Sequence, residues 1–276
     1  GPLEVLTGGT VTLGGTDVTR PVVGKSAAQF WGLKTDGLFQ TDAEAAGYVN
    51  SKGERLQPAA AAGDLKYVDL DGNGKIDDND KTFIGSSIPD LSVGLNIAFG
   101  YKGFDFSMLL QGDLGIDVYN NFKQTLLHGK ALHNQFDDIK NAFRAEDVTF
   151  TTGGGETITL PKNTNTNIPR IVYGDPNENS MRASDYFVED ASYIRCNNIT
   201  LGYTFPKQLM KKVLVEHLRF YAGVKNPFTI TSYSMFDPQV PNGGSTLDRG
   251  VDGRFYDFTG TFWSQREYFA GIQLTF

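Results

Sequence analysis

The chain is poor in the residues from which most active sites are built. Among 276 residues it has one cysteine, Cys196, three histidines (His128, His133 and His217) and two tryptophans. A lone cysteine excludes an internal disulfide and leaves the redox compartment unreadable. His128 and His133 lie five residues apart, which does not place them on one helical face as a metal pair. Positive charge is in deficit, 25 Lys and Arg against 32 Asp and Glu. The resulting net charge of −7 argues against nucleic acid or an anionic membrane surface as a partner. No apolar run approaches the ~18 residues of a transmembrane helix. Membrane-spanning strands escape that test, because only alternate residues face lipid. The opening Gly1-Pro2-Leu3-Glu4 lacks the basic and apolar regions of a signal peptide. Gly153-Gly154-Gly155 lacks the lysine of a phosphate loop. The carboxylate pairs Asp77-Asp78 and Asp137-Asp138 carry no sign of desolvation, so no enzyme is predicted.

Aromatic residues and glycine are plentiful instead, with 20 Phe, 12 Tyr and 32 Gly. They fall into alternating patterns. Leu91, Val93, Leu95, Ile97 and Phe99 share one parity, and Ser92, Gly94, Asn96, Ala98 and Gly100 share the other. After a tight connection at Tyr101-Lys102-Gly103, Phe104, Phe106, Met108 and Leu110 oppose Asp105, Ser107 and Gln111, with Leu109 the exception. Period-two alternation marks strands with one apolar face. Ten residues at roughly 3.3 Å each, tilted ~45°, span about 24 Å, close to the apolar band of a transmembrane barrel. A soluble β-sandwich shows the same alternation with its apolar face turned to a core.

Three further stretches repeat the pattern: Ile199, Leu201, Tyr203 and Phe205; Leu218, Phe220, Ala222 and Val224; and Tyr268, Ala270, Ile272, Leu274 and Phe276. A short helix is predicted over Thr41–Tyr48 with Asp42 as N-cap. One or two more are predicted between Tyr119 and Arg144 around Phe122, Leu126, Leu127, Ile139 and Phe143. Thr149 to Asn179, rich in Thr, Gly, Asn and Pro, reads as an extended loop. Connections at Tyr101 and at Pro206 to Glu216 are short, whereas 113–185 and 228–265 are long. Short turns at one end and long loops at the other describe an outer-membrane barrel.

The densest polar stretch is Asp69-Leu70-Asp71-Gly72-Asn73-Gly74-Lys75-Ile76-Asp77-Asp78-Asn79-Asp80. It fits a calcium loop position by position: Asp69, Asp71 and Asn73 at 1, 3 and 5, a glycine at 6, the Lys75 carbonyl at 7, Asp77 at 9 and Asp80 at 12. A hard cation needs several oxygens converging on one point, and this spacing supplies them. Its flanks read as extended, so the expectation is a structural Ca2+ site, at residues 69–80, without EF-hand helices. The same residues could form a solvated Asp/Asn/Gly turn. Phe255, Tyr256, Phe258, Phe262 and Trp263 crowd the last long loop, where rings could meet a sugar or a lid, pack the loop on itself, or form an interfacial girdle.

Several ordered segments carry a resemblance: Val23-Gly24-Lys25 leading to Phe30-Trp31-Gly32-Leu33-Lys34-Thr35-Asp36-Gly37-Leu38-Phe39-Gln40, Gly63-Asp64-Leu65-Lys66-Tyr67 before the acidic loop, and Ile84-Gly85 through Pro89-Asp90. Further on come Phe187-Val188-Glu189-Asp190-Ala191-Ser192-Tyr193-Ile194-Arg195, Asn198-Ile199-Thr200-Leu201-Gly202-Tyr203, Asn226-Pro227-Phe228-Thr229 and the terminal strand. From about Val22 to Phe276 the chain resembles the SusC/RagA type of TonB-dependent outer-membrane transporter of Bacteroidota. Cys196 stands where that family carries an apolar residue, a small-hydrophobe substitution. The resemblance implies an all-β fold, the C-terminal strands of a 22-stranded transmembrane antiparallel β-barrel in outer-membrane lipid. It implies import of oligosaccharides or peptides, a SusD-like surface lipoprotein as lid, and TonB as energy source. Residues 1–90 would then be an extracellular loop region with short strands, and 91–276 the barrel strands with their long loops. The plug and the TonB box would lie outside this chain. The rival readings are a soluble calcium-stabilised carbohydrate-binding β-module and a passive porin segment.

Overall fold

Five long strands make one antiparallel sheet in a computed structural model that describes residues 12–13, 16–26, 29–126, 136–210, 215–239, 250–252 and 265–276. They are β1 (Leu91–Tyr101), β2 (Phe104–Leu114), β3 (Tyr193–Thr204), β4 (His217–Thr231) and β5 (Glu267–Thr275). The sheet order is β5-β4-β3-β2-β1, so each strand pairs with its neighbours in sequence. The expected connection at Tyr101 is tighter than the sequence suggested, because Tyr101 still pairs with Phe104 inside the ladder. Only Lys102 and Gly103 turn the chain, both at positive φ (46° and 89°), the geometry whose twist matches a two-residue hairpin.

The register converts alternation into two faces. Leu95 pairs with Leu110, Ile97 with Met108 and Phe99 with Phe106. Met108 and Phe106 then pair with Ile199 and Leu201, which pair with Val224 and Ala222, and these with Tyr268 and Ala270. One apolar surface therefore runs unbroken across all five strands. On the other face the Arg219 guanidinium donates to Asp105 at 3.0 and 2.5 Å, reaching over β3 at Gly202. A Cβ there would sit 2.6 Å from both groups, so the ion pair needs glycine.

β4 holds an irregularity that the alternation does not announce. Between the pairs Cys196–Phe228 and Asn198–Lys225, Asn197 faces two residues, Asn226 and Pro227. This is a bulge, with Asn226 at φ 48° and proline where no ladder N–H is needed. The strand runs on to Thr231, so the predicted loop from Phe228 begins only after it. Between β3 and β4, Lys207–Met210 forms a helical turn within the predicted short connection.

The chain divides into two compact units, and the sheet lies in the one made of Ile88–Asp117, Asp190–Pro241 and Phe255–Phe276. The other unit comprises Gly1–Ser87, Val118–Glu189 and Asn242–Arg254, and it is built on small pieces. Gln29–Gly32 pairs with Thr82–Ser86, and Thr35–Leu38 with Leu65–Tyr67. Val18, Phe30, Tyr119, Ala183, Phe187 and Val251 form one apolar cluster. Leu33, Leu38, Ala62, Leu65, Tyr67 and Phe143 form a second. Burial among them pushes the Tyr67 and Tyr119 phenols far above their ordinary range. The helix α1 (Asp42–Gly47) forms as expected, but Thr41 caps it, accepting from the Glu44 N–H. Asp42 instead lies one residue inside and accepts from Ala62 N–H. α2 (Asn121–Leu126) and a 3-10 turn at Asp137–Asn141 match the helical reading of that region; Leu127 lies outside the described residues.

The segment 149–179 is more ordered than an extended loop. Val148–Thr151 and Thr157–Leu160 form a hairpin around the triglycine. Beyond it, polar side chains rivet the chain inward. Asp64, almost wholly buried, accepts two bonds of 2.8 Å from Arg170, one from Asn179 Nδ2 and one from Ala61 N–H. Gln57 bridges Leu65, Tyr67 and Asn177. The Asp64 carboxylate holds the Arg170 pKa above its ordinary value.

Asp64→Ala would leave Arg170 and several amides without their acceptor, and a broken buried pair of this kind costs about 3 kcal/mol. The expected outcome is a clearly lowered midpoint of thermal unfolding, while Asp36→Ala, whose carboxylate is mostly exposed, changes stability by no more than about 0.5 kcal/mol.

Candidate metal centre and apolar sheet face

The acidic loop leaves strand Leu65–Tyr67 and ends in a single 3-10 turn, Asp78–Asp80, before strand Thr82–Ser86. No flanking helices of EF-hand type are present around it. The fold brings Asp69, Asp71 and Asp80 together, with carboxylate oxygens all within 4.8 Å of one another. Oxygens about 2.3–2.6 Å from a shared Ca2+ can stand up to roughly 5 Å apart, so this donor set fits a calcium ion in spacing and in hardness.

Each carboxylate is also held by the backbone of its own loop. Asp80, fully buried, accepts from Leu70 and Asp77 N–H at 2.8 Å. Asp69 accepts from Gly72 and Gly74, and Asp71 from Asn73. Asp77 caps the final turn through Asn79 N–H and completes a reciprocal capping box with Asp80. Asn73 is linked to Asp71 and Asp77 through its Nδ2, and its Oδ1 accepts from Lys75 N–H. Thus Asn73, Lys75 and Asp77 join the cluster by hydrogen bonds, while Asp69, Asp71 and Asp80 form its converging centre. Gly74, at φ 83°, makes the sharp turn, and its carbonyl accepts from Asn50 Nδ2. Beside the cluster, Lys81 holds the Asp78 carboxyl below its ordinary pKa.

The apolar face of the sheet is uncovered. Leu95, Leu201 and Ile272 are 54%, 53% and 60% exposed, with no second sheet or helix layer over them among the described residues. The opposite face is covered at the end of the sheet away from the Lys102-Gly103 turn. There Tyr193 and Arg195 are only 2% and 3% exposed, while Ile194 between them is 40% exposed. Polar groups are inside and the apolar one outside, the inverse of a soluble core.

A network missed by the sequence reading accounts for this. Arg195 donates to Thr229 Oγ1, Gln239 Oε1 and Asp237 Oδ1. The Tyr193 hydroxyl donates to Asp113 Oδ2 and accepts from Gln239 Nε2, and Ser92 donates to Asp113 Oδ1. Parity counted back from Ile199, Leu201 and Tyr203 sets Tyr193 and Arg195 on the apolar side, and the register shift at Asn197 is what turns them to the polar one. Cys196 is buried as a small apolar residue would be. His217 opens β4. His128, His133 and the aromatic group Phe255, Tyr256, Phe258, Phe262 and Trp263 lie outside the described residues. Among the described residues, no helix is long and apolar enough to cross a membrane.

No family model matches the chain. Individual proteins do. It is 28% identical over 254 residues to TonB-dependent receptor P3 of Formosa agariphila, covering 92% of this chain and 22% of that protein. It is 34% identical over 179 residues to TonB-dependent receptor SusC of Bacteroides thetaiotaomicron, covering 64% of this chain and 15% of SusC. A solved RagAB peptide importer in its closed-closed state superposes with a TM-score of 0.61 at 21% identity, over 98% of this chain and 25% of that one; this last likeness speaks to the fold alone. The chain thus spans about a quarter or less of the proteins it matches. By sequence the chain is thus similar to a part of TonB-dependent receptors, SusC among them, and by fold to a part of the RagAB importer.

Proposed function

We propose that β1 to β5 are C-terminal strands of a 22-stranded outer-membrane barrel in a TonB-dependent importer. The uninterrupted apolar face lies against lipid and the polar face against the interior of the barrel. The observation that carries this reading is the inverted burial: Leu95, Leu201 and Ile272 are open while Tyr193 and Arg195 are covered. In lipid every backbone polar group must be satisfied by the ladder, which only a closed barrel achieves with strands. The long connections then lie outside the cell, at the substrate mouth. A SusD-like lipoprotein would serve as lid, and TonB would supply energy through parts of the protein beyond this chain. Oligosaccharides or peptides are the proposed cargo; RagAB, the solved relative in fold, is itself described as a peptide importer. A soluble carbohydrate-binding module is disfavoured by the size of the open apolar face.

Within this reading the loop 69–80 holds a structural Ca2+. Asp69, Asp71, Asn73, Asp77, Asp80 and the Lys75 carbonyl would be its ligands, and the ion would offset the mutual repulsion of the three converging carboxylates. Its role is to fix the loop, not to take part in a reaction.

Two outcomes are expected. Freed of detergent, the protein aggregates, and it regains a monodisperse state only in detergent or lipid; sizing chromatography checks this, and stable monodispersity in plain buffer would remove the membrane assignment. Ca2+ at about 100 times its Kd stabilises a specific site by about 2.7 kcal/mol. Thermal unfolding should therefore shift upward with CaCl2 and downward with EDTA. Asp71→Ala and Asp80→Ala should abolish the shift while the barrel still assembles, and Asp78→Ala should keep it.

A further inference from the structure

Beyond Thr231 the chain does not run on away from the sheet. Ser232 Oγ donates to the Asp190 carbonyl, Tyr233 is buried, and by Asp237 and Gln239 the chain is back against Arg195 and Tyr193. The register states which side it has taken. Ser92, Asp113, Tyr193 and Thr231 form one cross-strand row, and Gly94, Gln111, Arg195 and Thr229 the next, both on the polar face. Residues 232–239 therefore lie over the polar face at the end of the sheet away from the tight turn. The apolar side at the same level, Ile194 and Ile230, stays open.

We infer that residues 232–239 are a strap latched across the polar face by the Arg195–Asp237 ion pair, and that a solute moving along this end of the face meets the strap rather than the strands. This rests on the proposed barrel, in which the polar face lines the interior. The latch is a buried ion pair. Arg195 is 4% exposed in its side chain and Asp237 11%, with 2.5 Å between Nη2 and Oδ1. Removing one partner of so buried a pair leaves the other charge uncompensated. Other ties, between Ser232 and the Asp190 carbonyl and between Gln239 and both Arg195 and Tyr193, are hydrogen bonds on neutral side chains of the strap. Thr229, half-buried and paired with Arg195 in the ladder, accepts from Arg195 Nε, so its accessibility reports whether the strap is down.

The test uses the full-length receptor in its membrane, with Cys196→Ser to remove the native thiol. Thr229→Cys is labelled with a bulky water-soluble maleimide. Slow labelling is expected, with a rise on the order of tenfold to a hundredfold on adding Asp237→Ala. The charge exchange Arg195→Asp with Asp237→Arg should restore slow labelling, which a merely disrupted fold would not do. Equal labelling rates with and without Asp237→Ala, or no recovery in the exchanged variant, overturns the latch. Ile272→Cys tests the underlying reading separately. It should react with a lipid-soluble maleimide and resist the water-soluble one. Ready labelling of Ile272→Cys from water would overturn the barrel assignment, and the latch with it, whereas a protected Ile272→Cys beside an unresponsive Thr229→Cys overturns the latch alone.

Discussion

Everything in the sheet depends on one constraint, that successive side chains of a strand point to opposite faces. A slip of one residue in any pairing would turn that strand's whole apolar set to the other side. Here the pairings of β3 with both neighbours shift together at Asn197. The extra residue is absorbed at a single level and reverses the numbering of β3, whose apolar side carries odd-numbered Ile199 and Leu201 above it and even-numbered Ile194 below. The bulge thus preserves the separation of the two faces on which the membrane reading stands.

The two faces are also stabilised by different physics. On the apolar side, rows such as Phe99–Phe106 and Phe104–Tyr203 place rings 5.0 and 4.6 Å apart, contacts that tolerate lipid as a neighbour. On the polar side, stabilisation comes from ion pairs and hydrogen bonds that link three or four strands at once: Asp105 to Arg219 over Gly202, and Ser92 through Asp113 and Tyr193 to Gln239. A polar group facing inward is costly unless paired. The density of pairing on this side is what permits so many charges within one sheet.

The strands were legible because alternation is a local signal, and the convergence of Asp69, Asp71 and Asp80 because those residues lie within twelve consecutive positions. What was not legible depends on partners far away in sequence. Asp64 finds Arg170 and Asn179 across more than a hundred residues, and Arg195 finds Asp237. Nothing in the local composition of a Thr- and Asn-rich stretch distinguishes a rivet from a solvated loop. The capping of α1 shows the same limit at short range: Thr41 and Asp42 both have cap chemistry, and only the backbone angles of Thr41 decide between them. Pro227 lacks the N–H of a regular ladder, and a bulge lets β4 pass through it.

The long excursion between β2 and β3 bears on how such a sheet is assembled. Bringing Leu110 against Cys196 requires closing a large loop, and the entropy of closure grows with the logarithm of the loop's length. That excursion is packed and riveted to residues that precede β1, through Phe30, Tyr67 and Asp64 among others, so it can become ordered with them before the ladder between β2 and β3 forms. A pre-organised insert shortens the effective tether between those strands.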